Sequence, residues 1–175
     1  TAINGVPRSN LAHITSTGVL DPAWLAKTSG AVNSLAVSGS TVYIGGAFNG
    51  ANSVNGVKTR NRAAAVDTTT GDITSWDPNV GNGSVLTLAV SGSTVYIGGD
   101  FNGANSVNGT LTRNRAAAVD TTNGNATSWN PNLSNTVNTL AVSGSTVYLG
   151  GSFSGVGSVN GSLTRNRAAA VDTTN

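Results

Sequence analysis

The side chains able to do chemistry are few, and most of them recur. The acids are Asp21, Asp67, Asp72, Asp77, Asp100, Asp120 and Asp172, with no Glu; His13 is the single histidine and cysteine is absent. A histidine-based triad would have to be built around His13, which no repeat preserves; the residue in its place one repeat later is Ala65. We therefore expect His13 to be a strand residue. Without Cys there is no thiolate zinc site, no disulfide and no thiol nucleophile, and one histidine makes no metal cluster. Asp67, Asp120 and Asp172 each end an "AVD" before a Thr-Thr turn. Calcium binding would call for the repeated carboxylates of a calcium loop, which "DTTNGN" lacks. The expectation is that each Asp accepts hydrogen bonds from amides of its own turn. The sequence thus predicts no enzyme, no cofactor and no bound metal.

Two further groups have binding potential. Arg60/Arg62, Arg113/Arg115 and Arg165/Arg167 recur in "TRNRAAA". They are suited to an anionic ligand, but an Arg in every repeat is better explained by one that donates to the carbonyls of the preceding loop or pairs with a nearby Asp. After each Gly-Gly comes a connection of about 13 residues, "AFNGANSVNGVKT" and its relatives, long enough to suggest a functional loop. Asn49 and Asn52, with Asn102 and Asn105, have the chemistry to bond sugar hydroxyls while Phe48 or Phe101 offers an apolar face. The third copy has Ser154 and Gly157 at the Asn positions, so the competing expectation is a loop that hydrogen-bonds itself. Asn-X-Ser/Thr sequons occur at Asn82, Asn108, Asn125, Asn132 and Asn160, as an Asn- and Thr-rich chain produces by chance.

The elements that carry these groups are repeats. Leu35–Asp67 returns as Leu88–Asp120, 53 residues on, with differences only at Ala47/Asp100, Val57/Thr110 and Lys58/Leu111. Leu140–Asp172 is the third copy, after a further 52. Tyr43, Tyr96 and Tyr148, the three Phe, and Trp24, Trp76 and Trp129 all follow this interval. A worn copy opens the chain: "RSNLAHITSTG" parallels "RNRAAAVDTTTG", and Trp24 falls where Trp76 is expected. Four short strands fit one period, namely "VNSLAVSG", "TVYIGG", "RAAAVD" and "DITSW", separated by Ser-Gly-Ser, Thr-Thr-Gly and Asp-Pro-Asn turn chemistry. Asn-Gly pairs suit tight turns. The inner strands are apolar or small on both faces, which a sheet buries by stacking between two like itself. The predicted fold is all-β, a β-propeller of four-stranded blades of about 52 residues. The rival is a β-solenoid, whose coils are usually shorter.

The predicted organisation is one repeat domain over 1–175: a degenerate partial blade (8–31), two blades (32–84 and 85–136), and a blade lacking its fourth strand (137–175). The stretch "LAVSGSTVYIGGAF…RNRAAAVDTTTGDITSWDPN" resembles the delta-60-type propeller repeats of secreted and surface proteins in bacteria and archaea. It is more distantly similar to kelch blades, although the kelch spacing of Tyr and Trp after the Gly pair is not reproduced. The resemblance implies an extracellular or surface-associated propeller without a fixed activity. By their recurrence in every repeat, Tyr43, Tyr96, Tyr148, Trp24, Trp76, Trp129, and Arg62, Arg115 and Arg167 are expected to be structural repeat residues.

Charge and hydropathy narrow the partners. Nine Lys and Arg against seven acids, a net charge of +2, leave no basic cluster beyond the Arg-Asn-Arg triplets, so nucleic acid is not expected. No apolar run approaches the ~18 residues needed to span a bilayer. The chain opens at Thr1 without a signal peptide, so one was removed or the sequence is a window on a longer chain. Three blades and a remnant do not close a ring, and open strand edges associate. The expected partners are further copies, in a ring or a filament, or the remaining blades of a longer chain, with a glycan as the alternative.

Overall fold

The computed structural model describes residues 2, 3 and 5–174. Among these the regular elements are all β-strands. A small hairpin pairs β1 (Ala2–Ile3) with β2 (Val6–Pro7). Three antiparallel meanders follow, one per repeat. The first is β3 (Val32–Ser38), β4 (Thr41–Gly46) and β5 (Ala63–Asp67); the second is β6 (Val85–Ser91), β7 (Thr94–Gly99) and β8 (Ala116–Asp120). The third is β9 (Val137–Ser143), β10 (Thr146–Gly151) and β11 (Ala168–Asp172). The middle strand of each is the Gly-Gly strand, and the register repeats: Tyr43 faces Ala65 and Tyr96 faces Ala118.

The fourth strand of the predicted blade is a correction. "DITSW" makes one bridge, Val66 to Ile73, and its relative makes one, Val119 to Ala126. Each bridge is flanked by two backbone hydrogen bonds, Asp67 N–H to Asp72 and Thr74 N–H to Ala65 in the first repeat. The segment then leaves the sheet, because Trp76 is drawn away into the neighbouring repeat. The sheets are therefore three-stranded, with a fourth segment docked at a single point.

The Gly-Gly pair serves two separate needs. A methyl at Gly45 would stand 2.5 Å from Val85 Cγ1, in the next sheet. A methyl at Gly46 would strike the Ala31 carbonyl of its own sheet, where the pairing of β3 with β4 shifts register. Gly98 and Gly99 repeat the pattern against Val137 and Ser84. The first glycine thus admits the neighbouring sheet and the second permits the bulge.

Stacking buries three core layers. Leu11, Trp24 and Ala26 pack on Ile44, Phe48, Ala64 and Val66 of the first sheet. Tyr43, Ala65 and Trp76 pack with Val85, Leu88 and Val95 between the first and second sheets. Tyr96, Ala118 and Trp129 pack with Val137, Leu140 and Val147 between the second and third. The middle sheet is covered on both faces by its neighbours and the first by the opening segment and the second sheet, while the third is covered on one face only.

Candidate functional site

The structure concentrates its specific contacts in the seam between successive sheets. Gly45 receives the side chains of Val85 and Leu88, and Gly98 receives Val137. The first strands are also tied side by side: Leu88 N–H donates to Ser34 Oγ at 3.0 Å, and Leu140 N–H to Thr87 Oγ1 at 3.2 Å. Ser34 and Thr87 are equivalent positions, so the tie repeats. Trp76 meets Tyr43 edge-on, with centroids 5.1 Å apart, and donates its indole N–H to the Asp120 carbonyl at 2.7 Å. Trp129 meets Tyr96 in the same way at 5.2 Å and donates to the Asp172 carbonyl at 2.9 Å. Tyr43 Oη reaches the Thr121 carbonyl, 3.1 Å away in the next repeat. Burial pushes the Tyr43 and Tyr96 phenols up, and the negative charge of Asp120 or Asp172 adds to it.

At each end of the stack one half of this seam is open. On the third sheet Tyr148 is 51% exposed, and a methyl at Gly150 would meet only its own sheet, at Thr139 Cγ2, 2.9 Å away. An apolar cleft of about 470 Å³ lies there, lined by Leu140, Tyr148, Gly150, Arg165, Ala168 and Ala170. On the first sheet Leu35 is 55% exposed, while its equivalents Leu88 and Leu140 are 6% and 8% exposed. A second cleft of about 310 Å³ there is lined by Leu11, His13, Trp24, Leu35, Val37 and Val42. One end shows the socket and the other shows the residues that fill that socket within the chain.

The long loops are closed on themselves. Phe48, Phe101 and Phe153 are wholly buried, so the expected apolar platform for a sugar is corrected: the rings anchor the loops into the sheets. Ser53 Oγ donates to the Arg60 carbonyl at 2.6 Å and accepts from the Arg60 amide at 2.9 Å, pinching the loop base; Ser106 and Ser158 do the same. Asn52 and Asn105 are exposed, with φ of 58° and 59°, and Gly157 in the third copy has φ of 69°. A left-handed backbone, which Asn and Gly tolerate best, accounts for both the Asn and its replacement. Asn49 is exposed, and Asn102 is exposed with its backbone amide and carbonyl bonded to the Asn82 side chain.

The arginines divide the work. Arg60 binds forward, to the carbonyls of Trp76 and Thr74, with Asp77 Oδ2 at 3.4 Å. Arg115 and Arg167 donate to carbonyls of the preceding loops, at Asp100 and Ser152, while Arg62 reaches the carbonyl of Gly83. All three of these have φ between 66° and 70°, at the point where the long loop rejoins the sheet. Asp67 Oδ1 accepts from the amides of Thr69 and Thr70 at 2.8 Å. Those amides, Thr70 first, hold its carboxyl below the ordinary range. His13 Nδ1 lies 3.0 Å from Asp21 Oδ2, and its ring stands edge-on to Trp24. Among the described residues no group of three or more His, Cys, Asp or Glu could hold a metal ion, and no helix is long and apolar enough to cross a membrane.

Sequence reasoning missed two structural devices. The seam tie from Ser34 and Thr87 was hidden because a Ser/Thr in a strand signals nothing by itself. Asn55 and Asn108 latch each long loop to the following turn, at the carbonyls of Gly71 and Gly124, and their persistence beside the variable Asn52 position was the available clue.

The chain matches no protein-family model and no curated protein. Among solved structures it is similar to the crystal structure of the computationally designed Ika4 protein, at 14% identity over 82% of this chain and 92% of that one, with a TM-score of 0.38. That likeness is too loose to decide the fold.

Proposed function

We propose that this chain is a non-catalytic structural or adhesive module, a set of β-propeller blades that associates head to tail through the open ends of its sheet stack. The observation that carries this is the match between the two ends: Leu35 stands exposed and Gly150 meets no neighbouring sheet where, inside the chain, Leu88 and Gly45 are mated. A seam made twice in one molecule is a contact the same surfaces can make again between molecules, and a head-to-tail contact yields a ring or a filament. The socket's wall is apolar and the partner groups are aliphatic, so association would be driven by burial. A propeller is supported by the repeated meanders, the three stacked layers and the adjacency of β3, β6 and β9. Placement outside the cell or on its surface rests on the sequence resemblance. The repeated Asp and Arg side chains engage their own turns and loop carbonyls, which favours a scaffold over an enzyme. Absolute mass by light scattering, with electron micrographs of the same sample, tests the proposal. The wild-type chain should form rings or filaments, and Leu35→Glu should remain a folded monomer; a wild-type chain that is monomeric at high concentration sinks the reading.

A further inference from the structure

The molecule holds one more third-strand segment than its sheets use. Leu11–Ile14 stand to the first sheet as Ala63–Val66 of β5 stand to the second. Ile14 bridges Leu20 as Val66 bridges Ile73 and Val119 bridges Ala126. The flanking bonds correspond: Thr15 N–H to Val19 at 2.8 Å and Asp21 N–H to His13 at 2.9 Å, against Asp67 N–H to Asp72 at 2.8 Å and Thr74 N–H to Ala65 at 2.9 Å. The guanidinium clasp corresponds as well. Arg8 Nη2 donates to the Asp21 carbonyl at 3.1 Å, as Arg60 does to Thr74 and Arg113 to Thr127, both at 2.8 Å.

The last sheet has the receiving half of this arrangement. Val171 stands on β11 where Val66 and Val119 stand on theirs, and among the described residues no fourth segment bridges it. Among the described residues the Arg165 side chain reaches only the neighbouring Thr164 carbonyl, and it lines the open cleft.

Docking that repeats the internal seam therefore meets a conflict. Leu11–Ile14 of the arriving copy and β11 of the receiving copy fall in the same place, and one must yield. β11 is paired to β10 through five registered residues, Thr146↔Asp172 to Gly150↔Ala168, whereas the backbone pairing of the opening segment is a single bridge, supported by the side-chain contacts of Arg8, Asn10 and His13 and by burial of Leu11. The opening segment is the weaker of the two.

We propose that two copies of this chain join by strand exchange: Leu20 of one leaves its own Ile14 and pairs with Val171 of the other. In the exchanged state Asp172 N–H donates to the Val19 carbonyl and Asp21 N–H to the Ala170 carbonyl, both across the junction. Arg165 takes the Asp21 carbonyl from Arg8, and Trp24 lies edge-on to Tyr148 as Trp76 does to Tyr43. The two backbone bonds of the bridge and the guanidinium clasp lost at the opening segment each have a counterpart gained on β11, which is the thermodynamic pattern of a domain swap. The net drive is burial of Leu35 and Tyr148. The opposing cost is release of buried Leu11 and of the contact between His13 and Asp21. The proposal rests on the head-to-tail reading above and adds the route by which the junction forms.

The test uses the absence of native cysteine. A bridge with this bonding pattern is a non-hydrogen-bonded antiparallel pair, whose Cα atoms lie about 4.5 Å apart and accept a disulfide. Leu20→Cys and Val171→Cys chains, mixed in equal amounts under mild oxidant, should give a disulfide-linked heterodimer that neither chain gives alone. In a second variant, Ile14→Cys with Leu20→Cys, oxidation staples the segment at home; oligomers should be lost, and reductant should restore them. Oligomers that form without the cross-link between 20 and 171, or that survive the staple, overturn strand exchange and leave head-to-tail association standing. A wild-type chain that never associates overturns both.

Discussion

Trp76 stands edge-on to Tyr43, its ring centroid 5.1 Å away, while its indole N–H binds the Asp120 carbonyl of the next sheet. One side chain thus joins two repeats, through an aromatic contact on one side and a hydrogen bond on the other. Trp76→Ala is expected to destabilise the fold by about 3–5 kcal/mol, as for other buried Trp truncations, and Trp76→Phe by about 1–2 kcal/mol through loss of the hydrogen bond. Urea unfolding of both variants checks this. A Trp76→Phe chain as unstable as Trp76→Ala would show that the ring packing a Phe retains contributes little, and that the contacts specific to the indole, its hydrogen bond among them, decide the outcome.

The first glycine of each pair should answer differently according to what covers it. Gly45→Ala and Gly98→Ala place a methyl 2.5 Å from Val85 Cγ1 and 2.7 Å from Val137 Cγ1, so each should cost about 1–3 kcal/mol by overpacking. Gly150→Ala meets only Thr139 Cγ2 in its own chain, a side-chain methyl that can move, and should cost less in the isolated chain while weakening association. Thermal unfolding at low protein concentration separates the two effects; equal losses at all three positions would contradict the assignment of Gly150 to an open socket.

These contrasts also mark what was legible in the sequence. The interval of the repeat, the strands "TVYIGG" and "AAAVD" and the turns between them are all local, carried by β-branched residues, small residues and Asn-Gly pairs. The fourth strand was not legible, because "DITSW" has strand composition and only its docking decides that Ile73 bridges while Trp76 departs. The glycines illustrate the same limit: the pair was visible, but only the structure shows that Gly45 faces Val85 and Gly46 faces Ala31. In the loop, Phe48 beside Asn49 suggested a sugar site because adjacency in sequence does not say that the ring points inward.

The loop asparagines should behave as backbone residues. Asn105, at φ of 59°, is replaced by Gly157 in the third copy at φ of 69°, so Asn105→Gly should be tolerated within a few tenths of a kcal/mol. Asn105→Ala should cost about 1 kcal/mol from the left-handed conformation alone. Denaturant midpoints of the two variants measure this. Equal effects of Ala and Gly would mean that the Asn side chain, and not the backbone, matters there.

Acid should weaken the turns. The amides of Thr70 and Thr69 hold the Asp67 carboxyl below its ordinary 3.8, the Thr174 hydroxyl and amide do so for Asp172, and the Ala23 amide and His13 do so for Asp21. A carboxyl depressed in the folded state contributes stability above its unfolded pKa and loses it as pH falls through the folded one. The melting temperature should therefore be insensitive to these groups near neutrality and decline below about pH 4. Asp67→Ala should flatten that decline in a pH series of thermal melts; an unchanged acid limb would remove Asp67 from the account.

The polarity of the junction is the central claim, and a mixing experiment reads it most directly. Leu35→Glu disables the end that fills the socket and leaves the socket intact, while Tyr148→Glu does the reverse. Light scattering should find each variant monomeric alone and the equimolar mixture a discrete dimer, capped at both outer ends. Self-association of either single variant, or a mixture that stays monomeric while the wild-type chain assembles, would contradict head-to-tail joining of the sheet stack.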